Sequence, residues 1–233
     1  MARQVRSELT RRKILDAAID VFSEVGYAAA GWGTIIERTG MTKGALYHHF
    51  DSKEALASDI IDEGGEVVLR AFRNVCGSAS PALENMIHGT FAVANVLSTD
   101  KTARAAEQLV AALSGFNDAV ARCCAGWVAA MAEQASEGVA QGDLREDVDP
   151  ESLAQTIVGA MYGTRLFSIA IARNRQSESM LDQLNAQLTQ IWVVLLPGVA
   201  AEASLPYFRQ FLAREALRHT RTGAPAGLSD GAP

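Results

Sequence analysis

The sequence predicts an all-α protein with a small N-terminal helical head and a larger helical body. Three observations carry this. Long segments throughout the chain repeat apolar residues at three- and four-residue intervals, the spacing of one helix face. No alternating apolar–polar stretch of useful strand length occurs. Glycine, proline and capping side chains stand where the apolar stripes stop.

Residues 1–6, Met-Ala-Arg-Gln-Val-Arg, read as a flexible basic arm or a disordered start. Residues 7–25 read as the first helix, with Ser7 as N-cap and Ile14, Ala17, Ala18, Val21, Phe22 and Val25 as its stripe. Gly26 ends it, and Tyr27 reads as core. Residues 32–39 and 43–50 form two short helices around Gly40, where the chain must turn sharply. Thr42 fits the N-cap of the second, with Lys43 as its first helical residue. Leu46 faces inward with Ala45 and His49 or Phe50; Lys43, Gly44, Tyr47 and His48 face outward.

Residues 51–75 read as a longer connecting helix, with Asp51-Ser52-Lys53-Glu54 as a capping box if Asp51 is the cap. Gly64-Gly65 in mid-helix is costly, about 1 kcal/mol per glycine relative to alanine. A bend, or close approach of a ligand or a second helix, would account for it. Cys76 to Pro81 reads as a linker.

Five further stripes follow. They are Leu83 to Leu97, Ala105 to Leu113, Val120 to Ala135, Leu153 to Ser168 and Leu181 to Leu195. Between the third and fourth, Gly142 terminates a helix, Asp149 caps the next and Pro150 sits at its first position. Domains are expected at 1–50 for the head and 51–221 for the body, with residues 222–233 a disordered Gly, Ala and Pro tail.

Composition narrows the function. Of 233 residues, 48% are hydrophobic and 21% charged, enough apolar material for a real core. The net charge of −6 argues against nucleic acid until its distribution is read. Residues 1–53 carry an excess of two positive charges, so the acidic remainder would orient the head toward DNA. Cys76, Cys123 and Cys124 have no metal-ligand spacing and read as reduced cytosolic thiols. No signal peptide is visible, and the longest apolar run, Ile191 to Val199, is broken by Pro197, so a cytoplasmic protein without membrane association is expected. His48, His49, His88 and His219 have no nucleophile context or zinc spacing; no catalytic site, metal or cofactor is expected.

The segment Gly31 to Phe50 therefore reads as a helix-turn-helix that enters DNA. A cation, a bare backbone, a phenol and an imidazole on one outward face suit a phosphate-lined groove. The run Thr-Lys-Gly-Ala-Leu-Tyr-His-His-Phe (residues 42–50) followed by Ser52-Lys53-Glu54-Ala55-Leu56 resembles the DNA-reading signature of the TetR family of bacterial repressors, over roughly residues 7–58. The resemblance implies a three-helix DNA-binding head and a C-terminal helical bundle for ligand binding and dimerisation.

It also implies roles for single residues. Thr42 and its helix start present N–H groups to a phosphate, Tyr47 hydrogen-bonds a phosphate and Lys53 pairs with another. Lys43 and His48 reach base edges, and Gly44 permits close approach. Two departures stand out. Ala30-Gly31 replace the usual Thr or Ser cap, and Glu37 and Thr39 stand where alanine is common. One head reads few base pairs, so a homodimer on a pseudo-palindromic double-stranded operator is expected, paired through residues 151–173 and 178–196.

A narrower resemblance covers the whole chain. The Met-Ala-Arg-Gln start, residues 42–47, Trp127 ahead of the turn at residues 142–149, and Gly163-Thr164-Arg165 resemble the γ-butyrolactone receptor branch. Its members tend to be acidic, as is this chain at pI ≈ 5.3. The resemblance implies a ligand-released repressor whose small lipophilic effector, a γ-butyrolactone, butenolide or furan, meets Trp127. By stripe alone, Trp127 reads as core. Thr164 is a candidate polar contact, and Met86, Phe91, Leu113, Met131 and Met161 are candidate apolar ones. Two alternatives stay open. One is a TetR-type repressor of an efflux or biosynthesis gene answering a drug, lipid or antibiotic intermediate; the other is a helical carrier with a vestigial head.

Overall fold

The computed structural model describes residues 2–77, 80–171 and 179–221, and the described residues are helices joined by short turns. The chain divides into two compact units. The first comprises Met1–Arg70 and Val96–Trp127; the second comprises Ala71–Asn95 and Val128–Pro233. The division does not fall at residue 50. Three long helices cross from one unit to the other, so the head and the start of the body share one core. The tail at 222–233 lies outside the described residues.

In the first unit, α1 (Ala2–Ala29) is longer than the stripe suggested. The expected arm at residues 2–6 is helical. No Gly or Pro interrupts it, and Ala, Arg and Gln are good helix formers. Ser7 is therefore interior rather than a cap. Gly26, at φ 77° and ψ 161°, kinks the helix before its last turn, where an L side chain would be strained. Ile14, Ala17, Ala18, Val21 and Phe22 are buried; Val25 is exposed.

The two short helices are α2 (Trp32–Thr39) and α3 (Lys43–Tyr47). Gly40 closes α2 in the left-handed region at φ 64° and returns its N–H to the carbonyls of Ile36 and Glu37. Thr39, buried, donates to the Ile36 carbonyl and accepts from Met41 N–H at 3.1 Å, so its hydroxyl shapes the turn. As the missing Thr or Ser implied, Gly31 gives α2 no side-chain cap.

The connecting helix is α4 (Lys53–Cys76). Its cap is Ser52, whose hydroxyl accepts from Ala55 N–H at 3.0 Å, not Asp51. The glycine pair marks the approach of other helices. A Cβ on Gly64 would lie 2.5 Å from Ala106 Cβ and from the Thr102 carbonyl oxygen, both in α6 (Lys101–Leu113). One on Gly65 would lie 2.9 Å from Cys123 Sγ in α7 (Asp118–Ala140). Buried Asn117 caps α7 through its Oδ1 and donates to Glu54 and Ser58 of α4.

The second unit holds the greater part of α5 (Ala82–Thr99), the end of α7, and α8 (Pro150–Ile171), α9 (Met180–Val199) and α10 (Leu205–Arg221). The α5 stripe is buried along its whole length. Gly142 takes φ 77°, and Asp149 accepts from Ser152 N–H at 2.7 Å, as the turn chemistry implied. Pro197 does not break α9, which runs two residues further to Val199, although the ring removes one backbone donor from the last turn. α10 had no stripe assigned to it, although Phe208, Leu212 and Glu215 bury at helical spacing. The polar Glu215 in that series masks it in the sequence. It is held by His88 Nδ1 at 2.5 Å and by Arg218 at 3.1 Å.

Candidate DNA-binding and effector sites

The candidate recognition surface lies on a helix of five residues. Thr42 holds its start by accepting from Ala45 N–H at 3.3 Å. The N–H groups of Lys43 and Gly44 precede the first intrahelical bond and face outward. Leu46 and Phe50 anchor the helix below, both buried. Lys43, Gly44, Tyr47 and His48 are all exposed, Tyr47 by 43%. Gly44 is not demanded by packing, since a Cβ there meets nothing within 4 Å. The structure thus brings five of the six expected DNA residues, Thr42, Lys43, Gly44, Tyr47 and His48, onto one short stretch about α3.

Tyr47 is held rather than loose. Its ring meets Trp32 edge-on at 5.6 Å, and Lys43 Nζ lies 5.6 Å from its centroid. The Trp32 contact had no signal in the pattern, because it joins the first residue of α2 to the last of α3 across the turn.

Lys53 is placed differently from the expectation. Its ammonium donates to the carbonyls of Tyr27 at 2.8 Å and Ala30 at 3.0 Å, and sits 4.3 Å from the Tyr27 ring centroid. These carbonyls end α1, where cations are favoured by the helix dipole. Burial, with the charge of Glu54, raises the Tyr27 phenol above its ordinary value. Lys53 therefore fastens the end of α1 to the start of α4.

Charge inside the head is largely committed to structure. Arg11 pairs with Asp59, Arg12 with Glu63 and Asp16, and Arg38 with Glu24. The Arg38 guanidinium lowers the Glu24 carboxyl. The local positive excess counted along the sequence is thus not a smooth basic surface.

The expected effector residues are mostly core. Met86, Phe91, Leu113 and Met131 are fully buried, Trp127 nearly so. Met161 and Thr164 are half-buried, and the Thr164 hydroxyl donates to the Ala160 carbonyl of its own helix. None of the seven lines the open groove of about 610 Å³ in the second unit, which is bordered by Asn74, Glu84, Asn85, His88, Arg214 and Glu215. Burial pushes the Cys76 thiol up to about 11 and raises that of Cys124, which disfavours thiolate chemistry. Among the described residues no group of three His, Cys, Asp or Glu is placed to hold a metal, and no helix is long and apolar enough to cross a membrane.

Comparison with known proteins accords with this geometry. The profile of bacterial regulatory proteins of the tetR family matches residues 14–60, and that of the tetracyclin repressor-like C-terminal domain matches residues 101–184. The A-factor receptor protein of Streptomyces griseus is 33% identical over 86% of this chain and 67% of its own. The transcriptional repressor DhaR of Mycobacterium sp. (strain GP1) is 27% identical over 81% and 93%. A solved γ-butyrolactone receptor, an ArpA-like protein, superposes with a TM-score of 0.72 at 26% identity, covering 91% of this chain and 99% of that one. CprB from Streptomyces coelicolor, solved with its biological operator sequence, gives 0.69 at 27% identity, with 91% and 99% covered. The chain belongs to the TetR family of helix-turn-helix transcriptional regulators, and its relatives include receptors for γ-butyrolactone signals.

Proposed function

We propose that this chain is a cytoplasmic, non-enzymatic repressor that binds a pseudo-palindromic operator as a homodimer and is released by a γ-butyrolactone, butenolide or furan signal. The observation that carries the DNA half is the exposed Lys43, Gly44, Tyr47 and His48 face on a helix start fixed by Thr42. In this reading Tyr47 and the α3 N–H groups hold phosphates, while Lys43 and His48 read bases beside the bare backbone of Gly44. The functional head is residues 1–50. Lys53 sets its geometry from within rather than meeting DNA.

The dimer half is supported by large apolar side chains left exposed on a single chain. Leu166 and Phe167 of α8 and Val193 and Val194 of α9 are more than half exposed. Such a patch marks a protein interface. The signal half is supported by the kinship with the A-factor receptor and the γ-butyrolactone receptor. Trp127 is the proposed effector contact by resemblance. Met86, Phe91, Leu113, Met131 and Met161 stay apolar candidates and Thr164 a polar one, by their places on the helical stripes.

Release follows from population shift. The effector must bind the DNA-free arrangement better than the DNA-bound one, or the operator equilibrium does not move. The test is fluorescence anisotropy on DNA from upstream of the chain's own gene, across a salt series. A dimer per operator and an affinity that falls steeply with salt are expected. Salt-insensitive or absent binding, including to DNA selected from a random pool, would sink the reading.

A further inference from the structure

Buried polar groups in proteins almost always have hydrogen-bond partners. The second unit holds an exception. Asn185 of α9 is 2% exposed, and neither its Nδ2 nor its Oδ1 has a partner among the described residues. The other buried carboxamides differ. Asn85 donates to the Ser80 carbonyl at 3.4 Å and to Gln134 at 3.3 Å, and Asn117 uses both ends of its amide.

Asn185 points inward. Trp192, seven residues on, lies on the same helix face and donates its indole N–H to Thr90 of α5 at 3.1 Å. Leu188, also on that face, is buried. Exposed Val194 lies half a turn round, on the opposite face. Val193, also exposed, lies about 80° round, but Asn185 is only 2% exposed on the single chain, so a partner subunit would not reach its amide. Nor do its neighbours in α9 help. The Thr189 hydroxyl donates to the Asn185 backbone carbonyl, not to its side chain.

We propose that Asn185 is the polar anchor of an effector site within the second unit, and that it selects ligands carrying a hydroxyl or carboxylic acid. The amide offers donor and acceptor side by side. A bare lactone ring or an alkyl chain has no donor and would leave Oδ1 unmet. A hydroxyl or a protonated acid satisfies both ends. This rests on the proposed effector-released repressor and adds which group of the effector is recognised. In the ligand-free chain an unmet amide weakens the fold, so stability and ligand recognition trade against each other here.

The test compares wild type with Asn185→Leu, similar in volume and without polar atoms. Each is titrated by calorimetry with an alkyl γ-butyrolactone bearing a hydroxymethyl group and with the same lactone bearing a methyl in its place. Thermal midpoints are measured without ligand. Wild type should favour the hydroxymethyl lactone by roughly ten- to hundredfold. Asn185→Leu should lose that preference and melt higher when free. Equal affinity of both proteins for the hydroxymethyl lactone would overturn the assignment. So would a lower midpoint in Asn185→Leu, which would mark the amide as a structural group held by buried water. If neither lactone binds either protein, the lactone reading fails; a raised midpoint would then still support Asn185 as the anchor for an effector of another class. An unchanged midpoint with no binding would sink both.

Discussion

Two faces of this chain stand exposed, and they differ in kind. The outer face of α3 shows Lys43, Gly44, Tyr47 and His48. The outer faces of α8 and α9 show Leu166, Phe167, Val193 and Val194. Neither face is explained by packing within one chain. The first keeps hydrogen-bonding groups and a cation in water at little cost, as suits a charged and hydrated partner. The second leaves large apolar surface in water, which is favourable to cover. In the proposed reading the first face meets nucleic acid and the second a second copy of the chain.

The contrast is broken most strongly at α3. Tyr47→Ala should lower operator affinity by roughly a hundredfold or more, because each half-site loses a contact. Lys43→Ala should weaken binding comparably, and each should leave the thermal midpoint nearly unchanged. Anisotropy on operator DNA together with a melting curve decides the point. A large fall in midpoint would mean that the face is structural.

The apolar face breaks next. Leu166→Glu combined with Val194→Glu should turn the dimer into a folded monomer, read by analytical ultracentrifugation. Operator binding should fall with it, since one head alone spans a single half-site. A dimer that persists would place the interface elsewhere.

Lys53 sharpens the comparison because it looks like the first face and behaves like neither. Lys53→Met leaves the Tyr27 and Ala30 carbonyls without their donor and should cost about 1–3 kcal/mol of stability. Its operator binding should keep the wild-type dependence on salt. A salt slope flatter by about one per head in Lys53→Met would return Lys53 to the DNA surface.

The smallest effect is at the α2 cap. Gly31, at φ −85°, has room for a side chain whose nearest neighbour is Thr34 Oγ1 at 3.5 Å. Gly31→Ser should add the missing cap and gain a few tenths of a kcal/mol. A rise of about a degree in midpoint is expected, with operator affinity improved if the new hydroxyl also meets a phosphate.

Legibility followed how local each signal is. Gly40, Thr42, Gly142 and Asp149 were readable because turn and cap chemistry is decided within four residues. The buried stripe of α5 was readable because helical period reports the inner face directly. Three features were not. The helical start of α1 was hidden because a basic run reads equally well as an arm or a helix. The role of Lys53 depends on carbonyls more than twenty residues away. α10 places Glu215 in an apolar series, tolerable only because His88 and Arg218 meet it. The Gly64-Gly65 pair lay between these cases: the sequence left a bend or the approach of a ligand or a second helix open, and the fold shows α6 and α7 in close approach.

In the proposed function one dimer couples an operator to a small effector. The most direct measurement is a gel shift on the upstream DNA, titrated with γ-butyrolactone, butenolide and furan signals. The expected result is a shifted band that one of these classes clears in a saturable way, while Tyr47→Ala gives no band at all. A band that every one of them leaves in place, at concentrations where calorimetry shows the ligand bound, would contradict the coupling.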